Sequence, residues 1–395
     1  MTIRELLGLT VLCAFGVVCL AACQQAPVEE PAPAGPPFSA AIEVDDTLYL
    51  SGQVGLDPET REMASGIEAE TKVTMENLKR ELEAKGYSFS DVVATHVWLT
   101  DMKEIGPMSQ VYRSFLDQDK LPSRTTVAVS ELALGASVEI AMVAVRGEKQ
   151  YVYPEGTEPG KAPYSPGVLA GDRLFVSGQA GVVPGTAPPK LVEGDIKAHV
   201  TQTLKNIETV LKAADMDFSN VVSTEVFMTS GDYFGPMSET YVSMVPDPKP
   251  ARVPILVSAI PLDSPVEITM IASREEKTPV LPEGMGPSSA YSRGLKVGNT
   301  MYIAGVFSAE ETVEERVNDC LDRVKQIYEA GGFAMSDVVE ARVYLKDWED
   351  YGGMNAAYRR YFPENPPTRA TMEVPDSPGT TRIGMAFVAA RPAAE

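Results

Sequence analysis

The stretch "TLYLSGQVG" at residues 47–55 occurs three times in this chain, with small changes at each return. It comes back as "RLFVSGQAG" at 173–181 and as "TMYIAGVFS" at 300–308. Apolar and polar residues alternate in each copy up to a glycine, which is typical of a strand with one buried face. A unit that recurs in this way indicates a chain built from copies of one module.

Other segments recur in the same order around this stretch. "FSDVVATHVWLTDM" at 89–102 returns at 218–231 and 335–348, and "LPSRTTVAV" at 121–129 returns as "KPARVPILV" and "PPTRATMEV". Each unit is predicted to run as a strand pair, a helix, a strand, a second helix and two closing strands. Such an order predicts an α+β domain with its helices on one face of the sheet.

The repeat sets the expected domain boundaries. Units of about 110 residues are each large enough for a hydrophobic core. Pro and Gly at "YPEG" (153–156) and "LPEG" (281–284) mark linkers between them. We therefore expect domains at 37–147, 160–274 and 287–391, the third of them degenerate, after a Pro- and Ala-rich linker at 24–36.

The first 23 residues read as a targeting segment. An apolar run at 6–22 leads into "LAAC" at 20–23. Small residues before a cysteine favour a secretory signal, and an uncleaved membrane anchor is the alternative. "LAAC" resembles the bacterial lipobox, in which Cys23 would be lipidated, and Gln24 resembles outer-membrane sorting. These features predict a lipid-anchored protein of the cell envelope, held at the outer membrane and facing the periplasm.

Composition and net charge argue against several classes of function. A net charge of −21 argues against a nucleic-acid partner, because phosphate binding needs a basic surface. Outside the targeting segment the chain has one cysteine, Cys320, so no internal disulfide is expected. The only histidines, His96 and His199, fall in different repeats. A histidine metal site or a Ser-His-Asp triad is therefore not expected.

One arginine and one glutamate stand out on the two closing strands of a repeat. Arg124 and Glu139 are single charges among apolar neighbours, and Arg252 and Glu267 repeat them at the same spacing. A structural ion pair at the end of a sheet is one interpretation. The other is an anion site, where the guanidinium holds a carboxylate and a desolvated glutamate deprotonates water.

Taken together, the Ser-Gly-Gln, Pro-X-Arg and Val-Glu-Ile segments resemble the Rid (YjgF-like) family, over about 37–390. That resemblance implies a chorismate-mutase-like fold and a trimer with sites in clefts between subunits. It also implies hydrolysis of reactive imines and enamines without metal or cofactor. The arginine would hold the substrate carboxylate, and the glutamate would be linked to the hydrolytic water.

The resemblance assigns catalytic roles to Arg124, Glu139, Arg252 and Glu267. Ligand-binding roles fall on the family positions of all three copies: Ser51, Gly52, Ser109, Thr126, Tyr164, Ser177, Gly178, Ser238, Tyr291, Asn355 and Arg369. Phe38 and Ser109 stand where the family prefers Tyr and Asn. Pro254 replaces a residue with a backbone N–H.

The third copy departs furthest from the family pattern. Ala304 replaces the serine of Ser-Gly-Gln, Val306 replaces the glutamine, and Gly384 stands where the glutamate is expected. We therefore expect Arg369 to hold an anion but to direct water poorly.

Fusion of three such units predicts an intramolecular pseudo-trimer with a monomeric body. Three separate domains, each trimerising with other chains, are the alternative. The favoured function is deamination of small imino or enamino acids, as by a 2-iminobutanoate/2-iminopropanoate deaminase. Two alternatives stay open: non-catalytic binding of small carboxylate metabolites, and an interaction module with vestigial clefts. The expected partners are small carboxylates and, through the lipid, a membrane.

Overall fold

The protein is described by a computed structural model that covers residues 35–393. The predicted signal segment with Cys23, and most of the linker after it, lie outside the described residues. The three repeats belong to one compact unit that begins at Pro36. Across 35–393, no helix is both long and apolar enough to cross a membrane.

The first domain contains a sheet of five strands with two helices. Its elements are β1 (Ala41–Val44), β2 (Thr47–Val54), α1 (Ile67–Ala84), β3 (Val92–Leu99), α2 (Ile105–Ser114), β4 (Ser123–Ala128), β5 (Glu131–Leu132) and β6 (Val138–Val145). The sheet order is β1-β2-β6-β3-β4, and β3 and β4 form its one parallel pair. The predicted order of strands and helices is confirmed.

The second domain repeats this topology. Its elements are β7 (Lys149–Val152), β8 (Gly167–Ala170), β9 (Arg173–Ala180), α3 (Ile196–Ala213), β10 (Val221–Met228), α4 (Phe234–Met244), β11 (Ala251–Leu256) and β12 (Val266–Ser273). The sheet order is β11-β10-β12-β9-β8-β7, with β10 and β11 parallel.

The third domain carries the longest sheet. Its elements are β13 (Lys277–Val280), β14 (Gly294–Val297), β15 (Thr300–Ile303), β16 (Val306–Ser308), α5 (Val313–Ala330), β17 (Val338–Leu345), α6 (Tyr351–Tyr361), β18 (Thr368–Glu373) and β19 (Ile383–Ala390). The order is β13-β14-β15-β19-β17-β18-β5, with β16 also on β19, so β5 of the first domain extends this sheet.

The joints between domains are more ordered than their Pro and Gly content indicates. β7 and β13 fall at the start of the two joints and pair antiparallel with β8 and β14 of the domain that follows. Each joint therefore begins as an edge strand of the next sheet, and loops at 153–166 and 281–293 follow.

Each domain buries its two helices against one face of its own sheet. In α1 the apolar side chains recur at helical spacing and are buried at Ile67, Met75, Leu78 and Leu82 and half-buried at Val73. These side chains belong to one core with apolar residues of β2, β3 and β6. The other face of each sheet is left to contact the other domains, and a separate apolar core there includes Trp98, Phe227 and Tyr344.

Three unlike side chains meet where β3, β10 and β17 come together. His96, Glu225 and Arg342 occupy the same position in β3, β10 and β17, and we call them the central cluster. His96 Nε2 lies 2.9 Å from Glu225 Oε2, and Arg342 pairs with the other oxygen of Glu225 and with Glu340. A cavity of about 60 Å³ beside them is lined by residues of all three domains.

Candidate functional site

Arg124 lies against residues of the second domain, at the start of β4. Its backbone N–H donates to Ser177 Oγ over 2.9 Å, and Ser177 Oγ donates to the carbonyl of Ser165 over 2.7 Å. Its Nη1 donates to Ser109 Oγ of α2 over 3.0 Å. The guanidinium carbon lies 5.3 Å from the centre of the Tyr112 ring and 5.9 Å from that of Tyr164.

The carboxyl group facing Arg124 is that of Glu267 in the second domain. Glu267 is 4 % exposed, and its burial raises the pKa to about 8, while the backbone N–H of Thr126 and the charge of Arg124 oppose this rise. A Cβ atom on Gly178 would lie 1.9 Å from Glu267 Oε1, so only glycine leaves room for the carboxyl group there. We call these residues, with Ser109, Tyr112, Tyr164 and Ser177, the Arg124 cluster.

The same arrangement joins the third domain to the first. The backbone N–H of Arg369 donates to Ser51 Oγ over 2.8 Å, and its Nη2 donates to Asn355 Oδ1 over 2.7 Å. The guanidinium carbon lies 5.1 Å from the ring centre of Tyr358 and 5.2 Å from that of Phe38. Phe38 therefore fills the place that Tyr164 fills beside Arg124.

Glu139 of the first domain faces Arg369. Burial raises its pKa to about 8, against the opposing charge of Arg369 and the backbone N–H of Thr371. Glu139 Oε2 is buried without a hydrogen-bond partner among the described residues. A Cβ on Gly52 would lie 1.7 Å from Glu139 Oε1, which matches the requirement at Gly178. These residues, with Phe38, Ser51, Asn355 and Tyr358, form the Arg369 cluster.

The Arg252 cluster joins the second domain to the third and is built differently. It comprises Arg252, Phe234, Ser238, Tyr241, Tyr291 and Phe307. Nη2 of Arg252 donates to Ser238 Oγ over 3.1 Å, and the rings of Tyr241, Tyr291 and Phe234 lie 5.0, 5.9 and 6.0 Å from its guanidinium carbon. Ala304 has no hydroxyl group to offer, and instead the N–H of Gly305 donates to the carbonyl of Arg252 over 3.1 Å.

Phe307 occupies the region where the Arg252 cluster would need a glutamate. Strand pairing places Gly384 opposite Phe307, at the position that Glu139 and Glu267 hold opposite Val54 and Ala180. A Cβ on Gly384 would lie 2.5 Å from the Phe307 ring. Gly384 is thus confirmed as the counterpart of the two glutamates, and an aromatic ring covers it.

The prediction that each arginine acts with the glutamate of its own repeat is wrong. Arg124 faces Glu267, and Glu139 faces Arg369, because the strand that carries each arginine contacts the Ser-Gly-Gln strand of a different domain. The expectation that Arg369 lacks a glutamate is therefore corrected. The arginine without one is Arg252, because its neighbouring domain contributes Gly384.

The substitutions at Pro254 and Gly384 remove the two partners of the same hydrogen bond. The counterparts of Pro254 are Thr126 and Thr371, whose backbone N–H groups donate to Glu267 and Glu139. Proline has no N–H to donate. The Arg252 cluster therefore lacks both the backbone N–H donor and the carboxyl group that would accept from it.

The predicted ligand-binding serines have a structural use in this arrangement. Ser51 Oγ donates to the carbonyl of Ser39 over 2.6 Å while it accepts from Arg369, as Ser177 does with Ser165 and Arg124. Both hydroxyl groups thus tie the arginine strand of one domain to another domain. Ser109, Ser238 and Asn355 instead contact the guanidinium groups directly.

Sequence reasoning placed Phe38, Tyr164 and Tyr291 at the site but did not assign the second-helix tyrosines to it. Tyr112, Tyr241 and Tyr358 lie beneath Arg124, Arg252 and Arg369 in turn, and their recurrence in "SQVY", "SETY" and "NAAY" was an available signal. Phe307 could have been noticed as the one large residue at a position that is valine or alanine elsewhere. Across 35–393, no group of three His, Cys, Asp or Glu side chains is placed to hold a metal ion.

Three α+β domains, each presenting an arginine strand to the Ser-Gly-Gln region of another, define the class of protein. The family model described as Endoribonuclease L-PSP matches residues 28–146, 156–274 and 283–391. The chain therefore belongs to this family, in three tandem copies, and its similarity to RutC and Rid proteins confirms the predicted YjgF-like α+β fold.

Single-domain relatives match one copy at a time. A RutC family protein of Sulfurisphaera tokodaii is 42% identical over 118 residues, which is 30% of this chain and 93% of the relative. The 2-iminobutanoate/2-iminopropanoate deaminase of Mus musculus is 42% identical over 112 residues, or 28% of this chain and 82% of the relative. Among solved structures, RidA from an Antarctic Psychrobacter is 38% identical with a TM-score of 0.28, covering 29% of this chain and 93% of its own.

Proposed function

We propose that this protein hydrolyses small reactive imino or enamino acids to 2-oxo acids and ammonia, at the Arg124 and Arg369 clusters. The observation that carries the proposal is the pairing of a buried arginine of one domain with a buried glutamate of another, at both places. The similarity to a 2-iminobutanoate/2-iminopropanoate deaminase supports the same reaction class. We place the reaction in clefts between domains.

The chemistry needs an anion holder and a proton acceptor. The guanidinium of Arg124 or Arg369 would bind the substrate carboxylate, since a guanidinium presents paired donors to a carboxylate. The glutamate would take a proton from a water molecule as the water oxygen attacks the carbon of the protonated imine, and the C=N double bond becomes a single bond. The glutamate would then give that proton to the nitrogen. The C–N bond would break to release ammonia as the C=O bond forms and the hydroxyl proton passes to the glutamate.

The raised pKa of the glutamates fits this role. A carboxyl group with a pKa of about 8 is largely protonated near neutral pH in the empty site, and an approaching iminium charge would lower that pKa. The glutamate would then lose its proton as the substrate binds. A base with a pKa close to the working pH is also a more effective proton acceptor than an ordinary carboxylate.

The domain arrangement we propose is an intramolecular pseudo-trimer with a monomeric body. Contacts that run from the first domain to the second, from the second to the third and from the third to the first support it. Because the domains share one chain, their association would not depend on protein concentration. Light scattering on the full-length chain in mild detergent should give the mass of one chain, and a mass near three chains would contradict this arrangement.

We also propose a location at the cell envelope, with lipid on Cys23 as the membrane anchor. The apolar run and the "LAAC" sequence support this. Cells labelled with a radioactive fatty acid should incorporate it into the wild-type chain and not into a Cys23→Ser variant. Labelling of both chains, or of neither, would contradict lipidation at Cys23.

The activity is tested with imines that an amino-acid oxidase generates in the same vessel. The full-length chain in mild detergent should speed ammonia release, and it should lower trapping of the imine by semicarbazide. The double variant Arg124→Ala with Arg369→Ala should lose the effect. If the wild-type chain gives no acceleration with imines of two-, three- and four-carbon amino acids, deamination is not its function.

A further inference from the structure

Arg252 is a buried cation without an anionic partner in the described part of the chain. The residue is 2 % exposed, and its Nε and Nη1 atoms have no hydrogen-bond acceptor. Within residues 35–393 its only side-chain hydrogen bond is the one from Nη2 to Ser238 Oγ, a neutral group. Arg124 and Arg369 each face a glutamate, and no acidic side chain of the described residues acts on Arg252 in the same way.

Such a cation is costly to keep. Removing an unpaired charge from water is unfavourable, and buried charges in proteins are normally paired. The rings of Tyr241, Tyr291 and Phe234 offset part of this cost, since the face of an aromatic ring attracts a cation. The two N–H groups without acceptors remain uncompensated. An anion that accepts from Nε and Nη1 would supply the missing partner.

The wall opposite this guanidinium is apolar. Phe307 covers Gly384, the counterpart of the glutamates, and Val253 packs in the same region against Gly305. Pro254 removes the N–H that its counterparts Thr126 and Thr371 donate to a carboxyl group. Among residues 35–393, no carboxyl group stands where Glu139 and Glu267 stand in the other two clusters.

The two kinds of cluster carry different charged groups, and they therefore match different kinds of ligand. In the Arg124 and Arg369 clusters a cation and a carboxyl group together match a zwitterion, which has a carboxylate at one end and a charged nitrogen at the other. The Arg252 cluster keeps the cation and replaces the carboxyl group with Phe307. It matches an anion whose other end is apolar.

We propose that the Arg252 cluster binds a short apolar monocarboxylate, of the size of butanoate, and does not hydrolyse it. The ligand carboxylate accepts from Nε and Nη1 of Arg252, and its hydrocarbon end contacts Phe307. Phe234 is 37 % exposed beside the guanidinium, and its displacement would admit the ligand. The inference rests on the proposed function only in assigning hydrolysis to the other two clusters.

Calorimetry with butanoate tests this on the full-length chain in mild detergent. The Arg124→Ala, Arg369→Ala double variant should bind one butanoate per chain, and adding Arg252→Met should abolish that binding. The amino acid 2-aminobutanoate, a zwitterion with the same carbon chain, should bind the double variant at least ten-fold more weakly. Equal binding by the double and triple variants, or equal binding of the two ligands, would overturn the proposal.

A second measurement guards against misfolding of the triple variant. Because Arg252 is unpaired, the Arg252→Met chain should melt at the same or a higher temperature than the wild type in the absence of ligand, and butanoate should raise the melting temperature only where Arg252 is present. A deaminase assay of the wild type keeps the two proposals apart. Absent deamination with intact butanoate binding refutes the proposed function alone, and the reverse result refutes this inference alone.

Discussion

The Arg124 and Arg252 clusters have the same arrangement of elements and differ most in the two residues that face each other across one strand pair. In the Arg124 cluster, Glu267 pairs with the small residue Ala180, and the carboxyl group points toward the arginine. In the Arg252 cluster, Gly384 pairs with Phe307, and a ring takes that space. The comparison teaches that an arginine at the start of this strand does not by itself bring a carboxyl group with it. Under the proposed function, we expect the residue opposite the arginine, supplied by another domain, to decide between hydrolysis and binding.

The largest expected effect comes from removing both glutamates that complete a cluster. The double variant Glu139→Gln, Glu267→Gln should lower kcat/KM for imine hydrolysis by about 10²–10⁴-fold, the range for loss of a general base. Ammonia release in the coupled oxidase assay measures it. The matched control is Glu148→Gln with Glu276→Gln, two exposed residues at equivalent positions of the joints, and it should keep the wild-type rate. A double variant that keeps a tenth of the wild-type rate would contradict the role of these glutamates as the general base.

Converting the Arg252 cluster to the pattern of the other two should create some activity. In a chain that carries Glu139→Gln and Glu267→Gln, the substitutions Gly384→Glu, Phe307→Val and Pro254→Thr supply the carboxyl group, its space and the N–H donor. We expect a gain of roughly ten-fold over that inactive background. This is less than the 10²–10⁴-fold of a well-placed base, because Ala304 still lacks the serine hydroxyl of the other clusters. Gly384→Glu alone should give no gain, because its Cβ would lie 2.5 Å from the Phe307 ring. A triple conversion without activity would mean that more than this exchange separates the clusters.

The pH dependence tests whether the buried glutamates are the reacting groups. With a folded-state pKa of about 8, the deprotonated base rises from about a tenth of the molecules at pH 7 to half at pH 8. Because kcat/KM reports the free enzyme, it should rise about five-fold over that interval. Residual turnover of the Glu139→Gln, Glu267→Gln chain should lack this rise. A profile already flat from pH 6 upward would exclude these carboxyl groups as the base.

The smallest effect is expected from disabling one complete cluster. Arg369→Ala should lower the total rate about two-fold, because the Arg124 cluster still works, and Arg124→Ala should do the same. Only the pair of substitutions together should bring the rate to background. Single variants that each lose more than nine-tenths of the rate would show that the clusters depend on each other.

The repeat and the order of strands and helices could be predicted from the sequence. Arg124, Arg252 and Arg369 all begin a strand next to a parallel neighbour, and the register places Gly384 at the position of the glutamates. The sequence could not show which glutamate faces each arginine. A spacing of fifteen residues relates two strands of one domain, whereas the contact joins strands of different domains, and no local pattern encodes which domains meet.

Phe307 shows a second limit of sequence reasoning. The substitutions Gly384, Pro254 and Ala304 are each visible as departures from the repeat, but they lie far apart in the chain. Only packing shows that Gly384 and Phe307 face each other and that Pro254 has lost a donor whose acceptor is absent. Their common meaning depends on tertiary contacts.

The central cluster has a consequence for how such a chain can change over time. When one gene encodes three identical subunits, any substitution appears at every copy of a position at once, so a charge placed on the symmetry axis meets two more of its own kind. Here His96, Glu225 and Arg342 are encoded separately, so an imidazole, a carboxylate and a guanidinium can be neighbours. The same independence lets one cluster exchange its glutamate for a phenylalanine without any change to the other two. Fusion thereby turns one position into three that can be inherited with different residues.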